Sequence, residues 1–196
     1  MANTVQRPTE LQDPRRAKSL ARVLAAAVEL LREGGSPGLT IEAVAARSGV
    51  AKTTIYRQFE NRDQLHHAAL RSVACSVPMP HSDDLVADIT SFCVGLNQAL
   101  RNGDLGGVLP TGFDGAERSD SLAKMMQGTG EERRAAITGR LHAALRSGEL
   151  SDDSDIDLLN SQLVGPLFYR RFISRQPTNA AFIARHVGSV LRRQRS

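Results

Sequence analysis

"LTIEAVAARSGVAKTTIYRQFENRDQL", residues 39–65, decides how the rest of the chain is read. Thr40 stands where an N-cap belongs, Glu42 adds an acid to the first turn, and Ile41, Val44 and Ala45 supply an inward stripe before Ser48-Gly49. The helix this predicts is only about two turns long. After Gly49, Val50 starts a second short helical pattern through Phe59, with Ile55 and Phe59 spaced i, i+4 for a core. Two short helices meeting at a single glycine have the outline of a helix-turn-helix, here residues 40–59. Asn61 with Gln64 three residues on then predicts a capping box. The helix it opens runs through Leu65, Ala69 and Val73, until Pro78-Met79-Pro80 forbids continuation.

Upstream, "RRAKSLARVLAAAVELLRE", residues 15–33, places Leu20, Val23, Leu24, Ala27, Leu30 and Leu31 at helical spacing, and Gly34-Gly35 stops the pattern. Residues 1–14 read as a flexible basic arm. Residues 15–77 thus form one three-helix module around the helix-turn-helix, with a second module from 81 to 196.

In the second module Ser82, Asp83 and Asp84 open a helix carrying Leu85, Ile89, Phe92, Leu96 and Leu100 on one face, ended by Asn102-Gly103. Residues 103–115 are rich in glycine and hold Pro110, which predicts a loop or broken turn. Further helices are expected at 116–127 and 131–146. The acids of "SDDSD", residues 151–155, open another with apolar positions at Ile156, Leu159, Leu163, Leu167 and Phe168, kinked at Pro166. The last begins near Thr178 or Asn179 and repeats apolar pairs at 182/183, 186/187 and 190/191. No strand alternation appears. The expected fold is all-α, with about nine helices.

The net charge of +4 is unevenly placed: residues 1–80 hold 11 Lys and Arg against 7 Asp and Glu, whereas residues 81–196 hold 14 of each. A basic module joined to a neutral one points the first at a polyanion. No run approaches the roughly 18 apolar residues of a membrane helix, and no signal-peptide core stands in the first twenty, so the expected location is cytoplasmic, with no membrane partner. Cys75 and Cys93 belong to no CxxC pair and read as reduced thiols. His66, His67, Cys75, His81 and Cys93 have no closed metal-ligand spacing, and no GxSxG, P-loop or dinucleotide fingerprint is present. Neither catalytic residues nor a metal or other cofactor is expected, leaving a metal-dependent helical enzyme as a remote alternative.

The side chains of residues 52–59 suit a duplex. Lys52 is one of three lysines among 25 basic residues, and Tyr56 one of two tyrosines. Lysine can donate to guanine O6 and N7, and a threonine methyl packs on a thymine methyl, which makes Lys52, Thr53 and Thr54 the candidate base readers. Thr40 can offer its hydroxyl and the helix amides to a phosphate, and Arg57 and Arg62 add charge at the rim. Ile55 and Phe59 are core.

Residues 15–77 resemble the DNA-binding region of the TetR family of bacterial regulators. The likeness is carried by Gly34, Thr40, the "IEAVAARSGV" turn, Tyr56, Phe59 and the closing Asp63 and Leu65. "GELSDDSDIDLLNSQLVGPLFYR", residues 148–170, is similar to the start of the dimerisation helix in some members. The resemblance implies that Tyr56 grips a phosphate. It also implies a homodimer on a palindromic double-stranded operator, and C-terminal helices that bind a small-molecule effector and change the spacing of the two reading heads. Ala51, where serine is frequent, forfeits a side-chain N-cap; Arg62 keeps the charge of the usual lysine.

The candidate dimer interface is Leu159, Leu163, Leu167, Phe182, Ile183, His186, Val187 and Val190. The candidate effector pocket is Phe92, Cys93, Leu96, Phe113, Met125, Met126, Leu141, His142, Phe168 and Tyr169. The function expected is a ligand-responsive, sequence-specific transcriptional regulator, a repressor released by its effector. A constitutive, ligand-free DNA-binding regulator is the principal alternative.

Overall fold

The computed structural model describes residues 14–74, 77–102 and 104–193. Among them the chain forms nine α-helices and no strand: α1 (Pro14–Gly38), α2 (Ile41–Ser48), α3 (Lys52–Gln58), α4 (Arg62–Ser72), α5 (Leu85–Asn102), α6 (Asp104–Ala116), α7 (Asp120–Arg146), α8 (Ile156–Phe168) and α9 (Ala180–Arg192). A π-helical turn, Tyr169–Ile173, follows α8. Apart from Pro14, which opens α1, the expected N-terminal arm lies outside the described residues, as does Cys75. Two compact units divide between Ser72 and Val73.

In the first unit α1 packs against α2 and α4, and α2 against α3. Val23, Ala27, Leu31, Leu39, Val44, Ile55, Leu65 and Ala69 form its interior. The apolar pattern of α1 breaks at Gly35, whose φ of 64° and ψ of −163° no helix accommodates, and one further helical turn closes at Gly38. Thr40 caps α2 through Oγ1, which accepts from the Ala43 amide at 3.0 Å. Gly49 ends α2 in the left-handed region, φ 66°, donating its N–H to the Ala45 carbonyl at 3.0 Å. A Cβ at Gly49 would meet only the movable end of Arg22, whose Nη2 donates to the Ser48 carbonyl, so it is the left-handed backbone that demands glycine in the turn.

Asn61 accepts from the Gln64 amide at 2.9 Å, as a cap should, but Gln64 Oε1 accepts from the Glu60 amide at 3.1 Å rather than from Asn61. The reciprocal half of the box is displaced by one residue. α4 ends at Ser72, and Val73 and Val77, expected at the end of the first module, pack against the core of the second unit.

In the second unit α5 packs against α6, α7, α8 and α9, and Ile89, Cys93, Leu100, Leu141, Leu163 and Val187 are among its fully enclosed side chains. Two expectations fail here. Residues 104–116 are a helix, not a loop: Leu105, Val108, Leu109 and Gly112 recur at i, i+3, i+4 and i+7 and are buried. Packing overrides the low propensity of the glycines, which are required, since a Cβ at Gly106 would lie 1.8 Å from the Leu100 carbonyl oxygen. The pair of helices expected at 116–127 and 131–146 is the single helix α7. Gly128 and Gly130 face open space, and Gln127 Nε2 spans them to Glu131 Oε1 at 3.2 Å. Pro166 lies inside α8, and three residues later the chain widens into the π-helical turn, with the Ser174 amide on the Tyr169 carbonyl at 2.9 Å.

Candidate nucleic-acid interface and ligand module

α3 divides cleanly by exposure. Ile55 is fully buried and Phe59 nearly so, which anchors one face, while Lys52, Thr53, Tyr56 and Arg57 lie on the other at i, i+1, i+4 and i+5. Tyr56 is 52 % exposed, and a tyrosine left in water on a seven-residue helix is not there for packing. Thr54 is half-buried and less accessible than Thr53, so Thr53 is the better placed of the two. Ala51 offers α3 no side-chain cap, and its carbonyl takes the Thr54 and Ile55 amides at 2.9 and 3.2 Å.

Two of the cationic candidates have partners. Lys52 Nζ lies 3.0 Å from Glu42 Oε1 across the α2–α3 turn, and this bond holds the Glu42 carboxyl below its usual range. Both side chains are more than half exposed, so a phosphate or base edge can compete for the lysine. Arg62 is exposed as a residue but its Nη2 donates to Ser36, to the carbonyl at 2.7 Å and to Oγ at 2.8 Å. Arg62 thus ties the start of α4 to the end of α1 while its charge stays on the exposed rim. Thr40 is exposed, with its hydroxyl engaged in capping. Arg47, which sequence inspection passed over, chelates Glu33 at 2.8 and 3.0 Å and Glu29 at 3.2 Å, bracing α2 on α1; the bond lowers Glu33 from its ordinary value.

The model for the bacterial regulatory proteins of the tetR family matches residues 23–69, which hold the whole of this surface except its flanks. The model for the tetracyclin repressor-like C-terminal domain matches residues 79–190, more than half of the chain. The chain belongs to the TetR family. It is a DNA-binding transcriptional regulator. Similar proteins include the uncharacterised HTH-type transcriptional regulator YdeS of Bacillus subtilis (strain 168), 27% identical over 172 residues that cover 87% of this chain and 86% of YdeS. The crystal structure of the TetR family transcription regulator SCO0332 is 29% identical, with a TM-score of 0.69 over 89% of this chain and 97% of that one. The regulator FadR from Bacillus subtilis, in complex with stearoyl-CoA, shares the fold at 15% identity, a TM-score of 0.65 and coverage of 88% and 95%. No helix among the described residues is long and apolar enough to cross a membrane.

In this TetR-family regulator the ten pocket candidates differ widely in burial. Phe92, Cys93 and Leu141 are core; Leu96, Met126 and Phe168 pack on it; Met125 is half-buried; Phe113, His142 and Tyr169 are exposed. Burial pushes the Cys93 thiol up to about 12, which makes it an inert apolar filler. Phe113, Phe168 and Phe172 form an aromatic run, with centroids 6.3 Å apart for 113–172 and 6.2 Å for 168–172. Two open depressions of this unit, one beside Arg140 and Glu149 and one among Arg101, Arg170, Arg171, Arg175 and Gln176, are lined by none of the ten.

The dimer candidates separate as well. Leu159, Leu163, Leu167, Ile183 and Val187 are buried in the chain's own core and correct the expectation that they face a partner. Phe182, His186 and Val190 stay half-exposed on α9, and Leu158, one residue from the expected position, is 53 % exposed on α8. His186 has an internal duty: its Nε2 lies 2.9 Å from the Gln162 carbonyl. That carbonyl stands four residues before Pro166, so proline denies it the usual helical donor and the histidine replaces it.

The polar centre of the unit escaped sequence reading. Arg140, only 4 % exposed, donates from Nε to Asp88 at 2.7 Å, from Nη1 and Nη2 to Glu149 at 3.2 and 3.3 Å, and from Nη2 to the Ser82 carbonyl at 3.2 Å. Asp88 also accepts from the Ser82 amide at 3.0 Å and hydroxyl at 2.7 Å. Burial pushes its carboxyl up, yet Arg140 and Ser82 outweigh that and hold it below its ordinary value; Arg140 likewise lowers Glu149. Partners 52 and 58 residues away in sequence leave no local signature. Among the described residues no three His, Cys, Asp or Glu side chains converge as a metal site requires.

Proposed function

We propose that this regulator is a cytoplasmic homodimer that represses transcription from a palindromic operator and is released by a small-molecule effector. The observation that carries the DNA half is the two-sidedness of α3: Ile55 and Phe59 inward, Lys52, Thr53, Tyr56 and Arg57 outward. In this reading α3 lies in the major groove. Lys52 exchanges Glu42 for a base edge, Thr53 and to a lesser degree Thr54 contact thymine methyls, and the Tyr56 hydroxyl donates to a phosphate. Thr40 with the first amides of α2 takes a second phosphate, Arg57 adds charge, and Arg62 acts indirectly by fixing the start of α4. One head offers one reading helix, and half-sites about 34–36 Å apart require two heads. The exposed strip of Leu158, Phe182, His186 and Val190 is the face proposed to meet the second copy.

Response to a small molecule is supported by the family and by FadR's complex with stearoyl-CoA. A constitutive, ligand-free regulator is the second reading, favoured by the filled core at Phe92, Cys93 and Leu141. Mobility shift on DNA upstream of the protein's own gene, with sizing by light scattering, tests both the operator and the dimer. A discrete shift and a two-chain mass are expected. A monomer at micromolar concentration, or no preference over random DNA, contradicts the proposal. A compound that stabilises the protein thermally and weakens the shift separates the inducible reading from the constitutive one.

A further inference from the structure

One surface of the second unit gathers four cations and no acid. Arg101 in the last turn of α5, Arg170 and Arg171 in the π-helical turn, Arg175 just beyond it and Gln176 line an open depression of about 270 Å³. None of the four guanidinium groups forms an ion pair among the described residues, although the chain carries 21 acids and laces them around Arg47 and Arg140.

The arginines are fixed by bonds that leave donors to spare. Arg171 donates from Nε to the Leu100 carbonyl at 2.8 Å and lies 5.3 Å from the Phe172 ring, so its two outer nitrogens are uncommitted. Arg170 donates from Nε to the Pro177 carbonyl at 3.2 Å, shares that acceptor through Nη2, and stacks 4.1 Å over Phe182. Arg175 has a backbone φ of 55°, a conformation uncommon for a residue with a Cβ. The end of α5 supplies a partial negative charge of only about half a unit, too little to balance four cations.

We propose that this depression binds a small polyanion bearing two or more phosphate or carboxylate groups. Guanidinium forks match both groups in bidentate geometry, and the Gln176 amide adds a neutral donor or acceptor. The volume falls just under the range of about 300–1,000 Å³ usual for drug-sized ligands, which suits a compact charged head with any larger body left outside. The site deepens the reading of the protein as ligand-responsive and rests on it for its consequence, not for the binding itself.

Isothermal titration of the full chain at constant ionic strength, with inorganic triphosphate and with citrate as separate probes, tests the assignment. Constant ionic strength keeps simple screening from imitating a site. Saturable binding of one anion per chain is expected. It should weaken at least tenfold in the double variant Arg101→Gln/Arg175→Gln, whose side chains make no bond among the described residues, and stay unchanged in Arg185→Gln on α9. Triphosphate preferred over citrate assigns phosphate; the reverse assigns carboxylate. No saturable heat, or equal affinity in the double variant, overturns the site. A double variant that becomes monomeric, or triphosphate that is displaced by random duplex DNA, overturns it in favour of a second copy or DNA as the occupant. If triphosphate binds through these arginines yet leaves operator affinity unchanged, the site stands and the ligand response must be sought elsewhere.

Discussion

Arg47 and Arg140 each grip two carboxylates, yet they sit in opposite surroundings. Arg47, with 37 % of its side chain exposed, braces α2 on α1 through Glu29 and Glu33 in full contact with water. Arg140, with 4 % exposed, joins Asp88 and Glu149 inside the second unit. Water already solvates the first cluster, so its loss costs little, whereas removing Asp88 or Arg140 leaves the other charge nearly out of contact with water. The first unit carries its ion pairs on the surface. The second encloses the Arg140–Asp88 pair and uses it for cohesion.

The sharpest way to break this contrast is to delete each guanidinium in turn. Arg140→Ala should destabilise the protein by about 3–5 kcal/mol in urea unfolding, and Arg47→Ala far less. Equal losses would dissolve the distinction. Next in size is Gly106→Ala, which drives a methyl into the Leu100 carbonyl and should cost about 1–3 kcal/mol, read as a lowered Tm. Gly128→Ala in open space on α7 should instead stabilise by about 0.5–1 kcal/mol. A stable Gly106 variant would mean that α6 does not pack as described.

Acid sharpens the same contrast more gently. Asp88 and Glu149 have folded values below their ordinary 3.8 and 4.5, so the stability they contribute is complete above those values and is lost as pH falls through the lower folded ones. Urea midpoints measured from pH 6 downward should therefore drop below about pH 4.5. Asp88→Asn should be less stable at neutral pH and show a shallower acid limb. An unchanged limb would remove Asp88 from the acid response.

How far the residues announced the structure follows from the reach of each interaction. The Thr40 cap, the Gly49 turn and the Ile55–Phe59 spacing are settled within four residues, so the helix-turn-helix was legible, whereas the ties of Arg47 and Arg62 to α1, 14 to 26 residues away, were not. The second unit was legible only where periodicity was strong. The expected number of helices agrees with the structure because two errors cancel: α6 was passed over for its glycines, and α7 was cut in two at Gly128 and Gly130. The first turned on packing of α6 against α5 and α7, which local propensity does not record, and the second on two glycines that a helix carries through open space. Pro166 was noticed, but its partner His186 stands 20 residues further on, on another helix. Apolar residues of α8 and α9 were assigned to a partner chain because sequence shows that a face is apolar, not which side of the protein it meets.

The surface of α3 remains the central claim, and one set of titrations tests it most directly. Fluorescence anisotropy of the intact protein on its operator and on random DNA, at one fixed salt concentration, should be compared for Lys52→Ala and Tyr56→Phe. Tyr56→Phe should lose about 1–3 kcal/mol on both DNAs, as a phosphate contact must, while Lys52→Ala should lose a similar amount on the operator and much less on random DNA. Parallel losses for both variants on both DNAs, or no loss for either, would contradict the assignment of α3 as the helix that reads and holds the duplex.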